Sequence, residues 1–462
     1  MASIFPELWR QVKDDPRQLL DPQVVDDACA AVQATQPPTP PSQRPSKFSP
    51  YLGLVASILQ AIHGHTALAE LGALTATNAC AGTFCRLRQR LPLELFERVA
   101  VEMAQRGLNA TEHTGRWRGL RVFVLDGTGF SMPDLPALAD AFGKVKAGGK
   151  TSKKPLFPFA HALGMLDLAT GMIVKVCLAP GTTGDLHGTT QMHRLLMGKG
   201  DLLLADRGFS AITHLATALW HGLDVVVRAK HKDHRGGGAR GQGVGKIPRT
   251  RGDVAVRVLT DRRIVKALPT RLPLTVDPEL FACLDPEVRL REVVYEVSCS
   301  GYRSVRICLW SSLLDQEAYP AEALAGLYLR RWRIEVGFRD LKQTVGAAVM
   351  RGRSPEVVLK EFWSHVLAYN LVRMAATEAA GLKQVDGCRI GFVSALRFLR
   401  RLTTPVQEVE RGLAGLVVNP VNRRHREPRV VKRNPHRHDR MSKPRHEYFL
   451  SPAETAALQE AA

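Results

Sequence analysis

Apolar and polar positions follow three different rhythms along the chain. Residues 1 to about 35, and again Tyr51 to about Arg106, carry apolar residues at helical spacing. The stretch QPPTPPSQRPS (Gln36 to Ser46) lies between them as a proline-rich linker. From Leu120 the pattern changes to short apolar runs: LRVFVLDGT, FPFAHALGML, GMIVKVCLA and DLLLADRGF. A helical stretch, SAITHLATALWHG, and another apolar run, LDVVVRAK, follow, and this mixture predicts an α/β unit. After Lys230 the sequence HKDHRGGGARGQGVGKIPRTRGD is too rich in glycine for helix or core. The runs VAVRVL, REVVYEVSC and SVRICLW then read as strands, and PAEALAGLYLRRWRIEVGFRDLKQ returns to helix. The expected organisation is a helical segment over 1–35, a linker over 36–50 and a helical region over 51–115. An α/β core over 116–223 and 317–405 is interrupted by a β-rich insertion over 224–316, and a C-terminal region over 406–462 follows.

Composition sharpens this picture in one direction. Of 462 residues, 64 are Lys or Arg against 44 Asp or Glu, a net charge of +20. That excess implies an anionic partner, most simply nucleic acid, bound more weakly as salt rises. The charge is uneven: RRHREPRVVKRNPHRHDRMSKPRH, Arg423 to His446, is an extended basic arm with little to bury. KVKAGGKTSKKP (Lys144 to Pro155) is a second basic stretch, a backbone-binding or solvated loop. In the helical region Arg86, Arg88 and Arg90 precede Pro92 and form a candidate DNA-contacting face. No apolar run of about 18 residues predicts a membrane helix, and the N-terminus lacks the pattern of a secretory signal. Eight cysteines without a dense framework read as reduced thiols, so a cytoplasmic protein is expected. Cys80 and Cys85, with His63 and His65 upstream, fit no common zinc-finger spacing.

Candidate chemistry gathers at two strand ends and one helix. Asp126 closes the run FVLD and Asp206 closes LLLAD, each with glycine within two residues. Carboxylates held this way at a sheet edge, with no His/Cys set nearby, favour Mg²⁺ or Mn²⁺. Asp134, Asp140 and Asp201 sit in loop-like or helix-like contexts, and Asp185 in PGTTGDLHG is the strongest rival. On an ideal helical wheel with Tyr328 at zero, Leu327, Ile334, Phe338, Leu341 and Val345 fall between about 220° and 280° and should face a core. Tyr328, Arg331, Glu335 and Lys342 form a second stripe beside it, from roughly 300° to 0°, about 21 Å long. Asp340 and Glu322 lie away from the core, near roughly 120°. Glu335 is thus expected at the margin of the interior. Arg331 and Lys342 are expected to neutralise phosphate rather than mainly to pair with Glu335.

These residues resemble the DDE transposases of bacterial insertion sequences, specifically group four. Its signature is Tyr, two residues, Arg, three residues, Glu, six residues and Lys, and Tyr328, Arg331, Glu335 and Lys342 keep that spacing. VFVLDGT and LLLADRGFS resemble the family's two aspartate motifs, TFCRLRQRLP its upstream segment and PRVVKRNP its basic tail. The resemblance implies a ribonuclease-H-like core in which Asp126, Asp206 and Glu335 are catalytic and bind two Mg²⁺ ions, with Mn²⁺ as a substitute. It implies cut-and-paste DNA transposition through hairpin ends, on transposon-end and target DNA, by a homodimer in the nucleoid-bearing cytoplasm. Trp310 resembles the aromatic that stacks on a flipped base, and Arg207 joins the expected DNA contacts. A nuclease without strand transfer, and a non-catalytic domesticated DNA-binding protein, are the competing readings.

Overall fold

A computed structural model describes residues 20–34, 48–146, 155–181, 200–229, 254–273, 276–299 and 305–401, together with Leu413 and Leu416. The proline-rich linker, Asp185, the glycine-rich stretch after Lys230, most of Lys144 to Pro155 and the basic arm lie outside the described residues.

One mixed sheet organises the chain. Its strands are β1 (Arg116–Trp117), β2 (Leu120–Ser131), β3 (Lys144–Lys146), β4 (Pro155–Asp167), β5 (Ile173–Pro180), β6 (Asp201–Ala205), β7 (Asp224–Arg228), β8 (Val254–Ala267), β9 (Glu287–Cys299) and β10 (Val305–Ser311). The order is β3-β4-β2-β6-β7-β10-β9-β8, with β5 also on β4 and β1 on β2. β2, β6 and β7 run parallel, and β2-β4-β5 and β7-β10-β9-β8 are antiparallel. β7, read from sequence as the head of the insertion, pairs with β6, and β8 to β10 continue the same sheet. The strands at its centre read as nearly unbroken apolar runs because helices cover both faces.

The described α-helices of five or more residues are α1 (Pro22–Gln33), α2 (Pro50–Ile62), α3 (Ala81–Arg90), α4 (Leu93–Ala110), α5 (Pro136–Phe142), α6 (Ile212–Trp220), α7 (Pro278–Ala282), α8 (Ala321–Leu329), α9 (Trp332–Arg339), α10 (Pro355–Leu382) and α11 (Phe392–Arg400). Asp21 and Ser49 cap α1 and α2 through their side chains, each just ahead of a proline at the helix start. Pro92 stands one place before α4, as its N-cap. α6 packs on one sheet face with Phe123, Leu125, Ala205 and Val227. α8 and α9 pack on the other with Val124, Leu204, Val226 and Leu309. α10 lies against the N-terminal helices and α11 in a third cluster.

The structure corrects the single ideal helix assumed for Tyr328 to Lys342. α8 ends at Leu329, Arg330 and Arg331 bond back three residues, and α9 begins at Trp332. Asp340–Val345 then forms a π-helical turn that ends at Gly346, φ 109°. The apolar stripe survives the breaks: Leu327, Ile334, Phe338, Leu341 and Val345 are all buried. The outer side does not match the wheel, since the side chain of Asp340 is only 17% exposed. Because α10 packs against the π-helical turn, that flank is not open to solvent.

Candidate active site

Strand register brings the two aspartates together. β2 and β6 align Leu125 with Ala205, so Asp126 and Asp206 follow side by side on adjacent parallel strands, which lie roughly 4.8 Å apart. Side chains alternate along a strand, so both aspartates point away from the α6 face, where Leu125 and Ala205 lie, toward α8 and α9. One expectation needs correcting: Asp126 does not end its strand. β2 continues to Ser131 because Gly127 to Ser131 pair with β4, whereas β6 stops at Ala205. Asp126 therefore sits where its parallel neighbour ends, beside a gap in the sheet. Asp206 turns the chain there, its Oδ1 accepting from the Gly208 amide at 2.6 Å as the cap of a short 3₁₀ turn.

Arg331 ties Glu335 to Asp126. Its Nη2 donates to Glu335 Oε1 at 2.7 Å and its Nη1 to Asp126 Oδ2 at 3.4 Å. The i,i+4 pair between Arg331 and Glu335, subordinated in the sequence reading to phosphate contact, is therefore formed. The guanidinium lies over the rings of Tyr328 and Trp332, at 5.9 and 5.7 Å, within cation–π range. Tyr328 is buried beneath it, and burial pushes its hydroxyl up to about 12. Burial also raises the Asp126 carboxyl to about 6; Arg331 opposes that rise while Asp206 and Glu335 add to it. Burial lowers Lys342, which is half-buried on the π-helical turn.

Two anchors that the sequence reading did not single out hold α9 in place. Arg333 donates from Nη1 to the Leu168 carbonyl at 2.9 Å and from Nη2 to Asp386 Oδ2 at 2.6 Å. Gly337 lets the helix approach closely: a Cβ there would stand 2.8 Å from the Tyr369 hydroxyl and 2.9 Å from Leu166. A glycine inside an otherwise helical pattern was the available signal.

The remaining candidates divide. Arg207 is exposed beside Asp206. Arg86 and Arg90 are exposed on α3, while Arg88 is half-buried and reaches Gln60. The structure does not bring Trp310 to the carboxylates. It aligns with Val227 on β7 and packs on the α6 face, its Nε1 donating to Glu292 and Lys266 standing 5.0 Å over its ring. Asp134 pairs with Lys144, Asp140 is exposed on α5, and Asp201 lies at the far end of β6.

Asp126, Asp206 and Glu335 supply only hard oxygen donors, the chemistry that Mg²⁺ or Mn²⁺ takes. Burial is the main cause of the raised Asp126 carboxyl, and the nearby Asp206 and Glu335 add to it against Arg331, so the three carboxylates stand close enough to feel one another and their oxygens fit a divalent cation. Among the described residues no three His, Cys, Asp or Glu side chains already stand in metal-holding geometry; the Arg331 guanidinium stands between Asp126 and Glu335. No described helix is long and apolar enough to cross a membrane, and the seven cysteines whose side chains are described are free thiols.

The family described as "Transposase DDE domain" matches residues 117–371. The transposase InsG for insertion sequence element IS4, from Escherichia coli (strain K12), is 27% identical over 366 residues, covering 75% of each chain. Likeness to solved structures is shallow. A piggyBac transposase synaptic complex with hairpin DNA shares 11% identity, covers 89% of this chain and 88% of that one, and has a TM-score of 0.39. A pre-cleavage Mos1 transpososome shares 10%, covers 48% and 72%, and has a TM-score of 0.17.

Proposed function

The chain belongs to the transposase DDE-domain family, as the spacing of Tyr328, Arg331, Glu335 and Lys342 led us to expect, and on that premise we propose that it cuts and joins DNA with Asp126, Asp206 and Glu335. One observation carries the assignment: Asp126 on β2 and Asp206 directly after the end of the parallel neighbour β6, with Arg331 joining Asp126 to the helical Glu335. The strand order β5-β4-β2-β6-β7, with three parallel strands and α6 between the last two, supports a ribonuclease-H-like core. In this reading β7 is the core's fifth strand and the insertion begins after Arg228.

Asp126, Asp206 and Glu335 are the residues that would hold two Mg²⁺ ions. When bound, such ions activate a water or a 3′-hydroxyl and stabilise the leaving oxygen of a phosphodiester. The remaining work falls to the protein's own groups. Asp126 and Asp206 are fixed by the sheet, and Glu335 by the anchorage of α9 through Arg333 and Gly337. Lys342 and exposed Arg207 neutralise phosphate oxygens along the strand, and Arg331 can turn one guanidinium edge from a carboxylate to phosphate while its rings keep it in place. Hydrolysis at the transposon end breaks one P–O bond and leaves a 3′-hydroxyl. That hydroxyl then attacks the opposite strand, giving a hairpin, or target DNA, with one P–O bond formed for each broken. Arg86 and Arg90 of α3 and the basic arm supply sequence-independent grip, and a homodimer pairs two ends.

The test uses full-length protein, a duplex carrying the inverted repeat that flanks the gene, and Mg²⁺ against chelator. Metal-dependent nicking followed by joined products is the expected result. Nicking that never yields joined products would reduce the protein to a nuclease, and binding without nicking in any metal would overturn the proposal.

A further inference from the structure

Away from the carboxylates, His65, Glu361 and His365 form a buried polar cluster where three parts of the fold meet. His65 comes from the loop after α2, Glu361 and His365 come from α10, and the third part is the segment leaving the turn that bears Lys342. The side chains of His65 and Glu361 are 9% and 7% exposed. His65 has a φ of 61°, directly after Gly64 at 70°. A non-glycine residue held there costs about 1 kcal/mol or more, so its contacts must fix it. They are several. Nδ1 stands 3.3 Å from Glu361 Oε1, Nε2 stands 3.1 Å from His365 Nε2 and 3.2 Å from the Gly346 carbonyl, and the His65 carbonyl accepts from Arg351 Nη1 at 3.2 Å. Glu361 also accepts from the amides of Arg351 and Gly352, at 2.7–3.0 Å.

The protons in this cluster can be placed by elimination. His365 Nδ1 lies 2.6 Å from the Glu361 carbonyl oxygen, which only accepts, so Nδ1 carries a hydrogen. Burial, with the neighbouring His65, holds His365 down to about 3, so its Nε2 is a bare acceptor. His65 Nε2 must therefore donate to it. The carboxylate of Glu361 also accepts only, and its Oε1 stands 3.3 Å from His65 Nδ1, an ion pair when that nitrogen carries a proton. All the contacts are satisfied together when His65 is an imidazolium balanced by Glu361. The other charged groups facing it are Arg351, from the segment after the turn, and Arg88 of α3, which lines the same small polar cavity.

We infer that His65 is a positioning residue: its imidazolium fastens the exit of the Lys342-bearing turn to the N-terminal helical region. The fastened segment is also stitched to the strand of Asp126, since the Ser131 amide donates to Ala348 and the Met350 amide donates to Ser131. Lys360, one residue before Glu361, donates to the carbonyls of Arg88 and Gln89 at the end of α3. The arginine helix, the π-helical turn and β2 are therefore tied to one another through His65, Glu361 and Lys360. The consequence for the reaction rests on reading Lys342 as a phosphate contact; the fastening itself does not.

Hydrogen exchange of full-length protein without DNA tests this, followed over residues 346–352 and, as an internal reference, over α6. Protection of residues 346–352 should fall on the order of tenfold in His65→Gln, the loss of one charge-assisted contact, with α6 unchanged. Glu361→Gln should keep most of that protection, because its amide nitrogen can donate to a bare Nδ1. In cleavage, His65→Gln should lower the rate with unchanged affinity for the end duplex. A His65→Gln protein whose residues 346–352 stay as protected as in wild type would overturn the proposal. If that variant does not fold, Arg351→Met, which removes the contact to the His65 carbonyl, gives the same readout, and unchanged protection there would overturn it as well.

Discussion

Replacing Arg331 with glutamine should destabilise the metal-free protein, and the size of the loss follows from its two contacts. At 3.4 Å from Asp126, a unit pair in an effective dielectric near 20 gains about 5 kcal/mol gross. Desolvating the guanidinium, whose side chain is 10% exposed, offsets part of this. Solvent screening of Glu335, 33% exposed, weakens the second contact. A net loss of about 2–3 kcal/mol remains, the scale on which breaking a partly buried pair leaves charge uncompensated. Arg331 is also the group that restrains the rise of Asp126, so its removal should move that carboxyl above about 6. The informative assay is a double-mutant cycle in denaturant at neutral pH, with chelator present. Asp126→Asn in the Arg331→Gln background should recover most of the loss, because the asparagine removes the orphaned charge. An Arg331→Gln variant as stable as wild type, or one that Asp126→Asn fails to rescue, would show that the guanidinium does not offset the charge of Asp126.

Further outcomes concern how the site is held. Gly337→Ala should push α9 off the sheet, since its Cβ would stand 2.8 Å from Tyr369; cleavage should fall on the order of 100-fold with circular dichroism unchanged. Lys360→Met removes a fully buried ammonium that caps α3, and hydrogen exchange over residues 81–90 should accelerate more than over α6. Acid should act through His214 and His365, which burial holds down to about 4 and about 3. Their depressed values mean that both contributions are present above the ordinary value of 6.5 and are lost as pH falls below it, by up to about 1.4 kcal/mol per pH unit for each ring. Denaturation measured from pH 8 down to about 4 should show stability flat at first and falling below 6.5, and His214→Asn should reduce that slope.

Much of this arrangement was legible because strands and the signature helix carry strong local patterns. LLLAD and FVLD announce buried strands that deliver carboxylates, and the apolar stripe of Leu327, Ile334 and Phe338 fixes which side of the helix meets the sheet. Three features were not legible. The break at Arg330 and Arg331 and the π-helical turn leave apolar spacing nearly intact, so an ideal wheel passes over them and misplaces Asp340. α10 has no amphipathic stripe because it is buried on almost every side. The partnerships of Arg331 with Asp126 and of His65 with Glu361 span 205 and 296 positions, and only the folded chain brings such residues together. Trp310 shows the opposite error. Its place in sequence, just before the signature helix, suggested the active face, yet strand alternation turns it to the other side of the sheet.

Whether three carboxylates cut DNA is decided by cleavage of an inverted-repeat duplex by Asp126→Asn, Asp206→Asn and Glu335→Gln in Mg²⁺ or Mn²⁺. Each variant should still bind the duplex while cleaving at least about 1,000-fold more slowly than wild type, as expected when a group essential to transition-state stabilisation is removed. Cleavage at the wild-type rate by Glu335→Gln, or by either asparagine variant, would contradict the account.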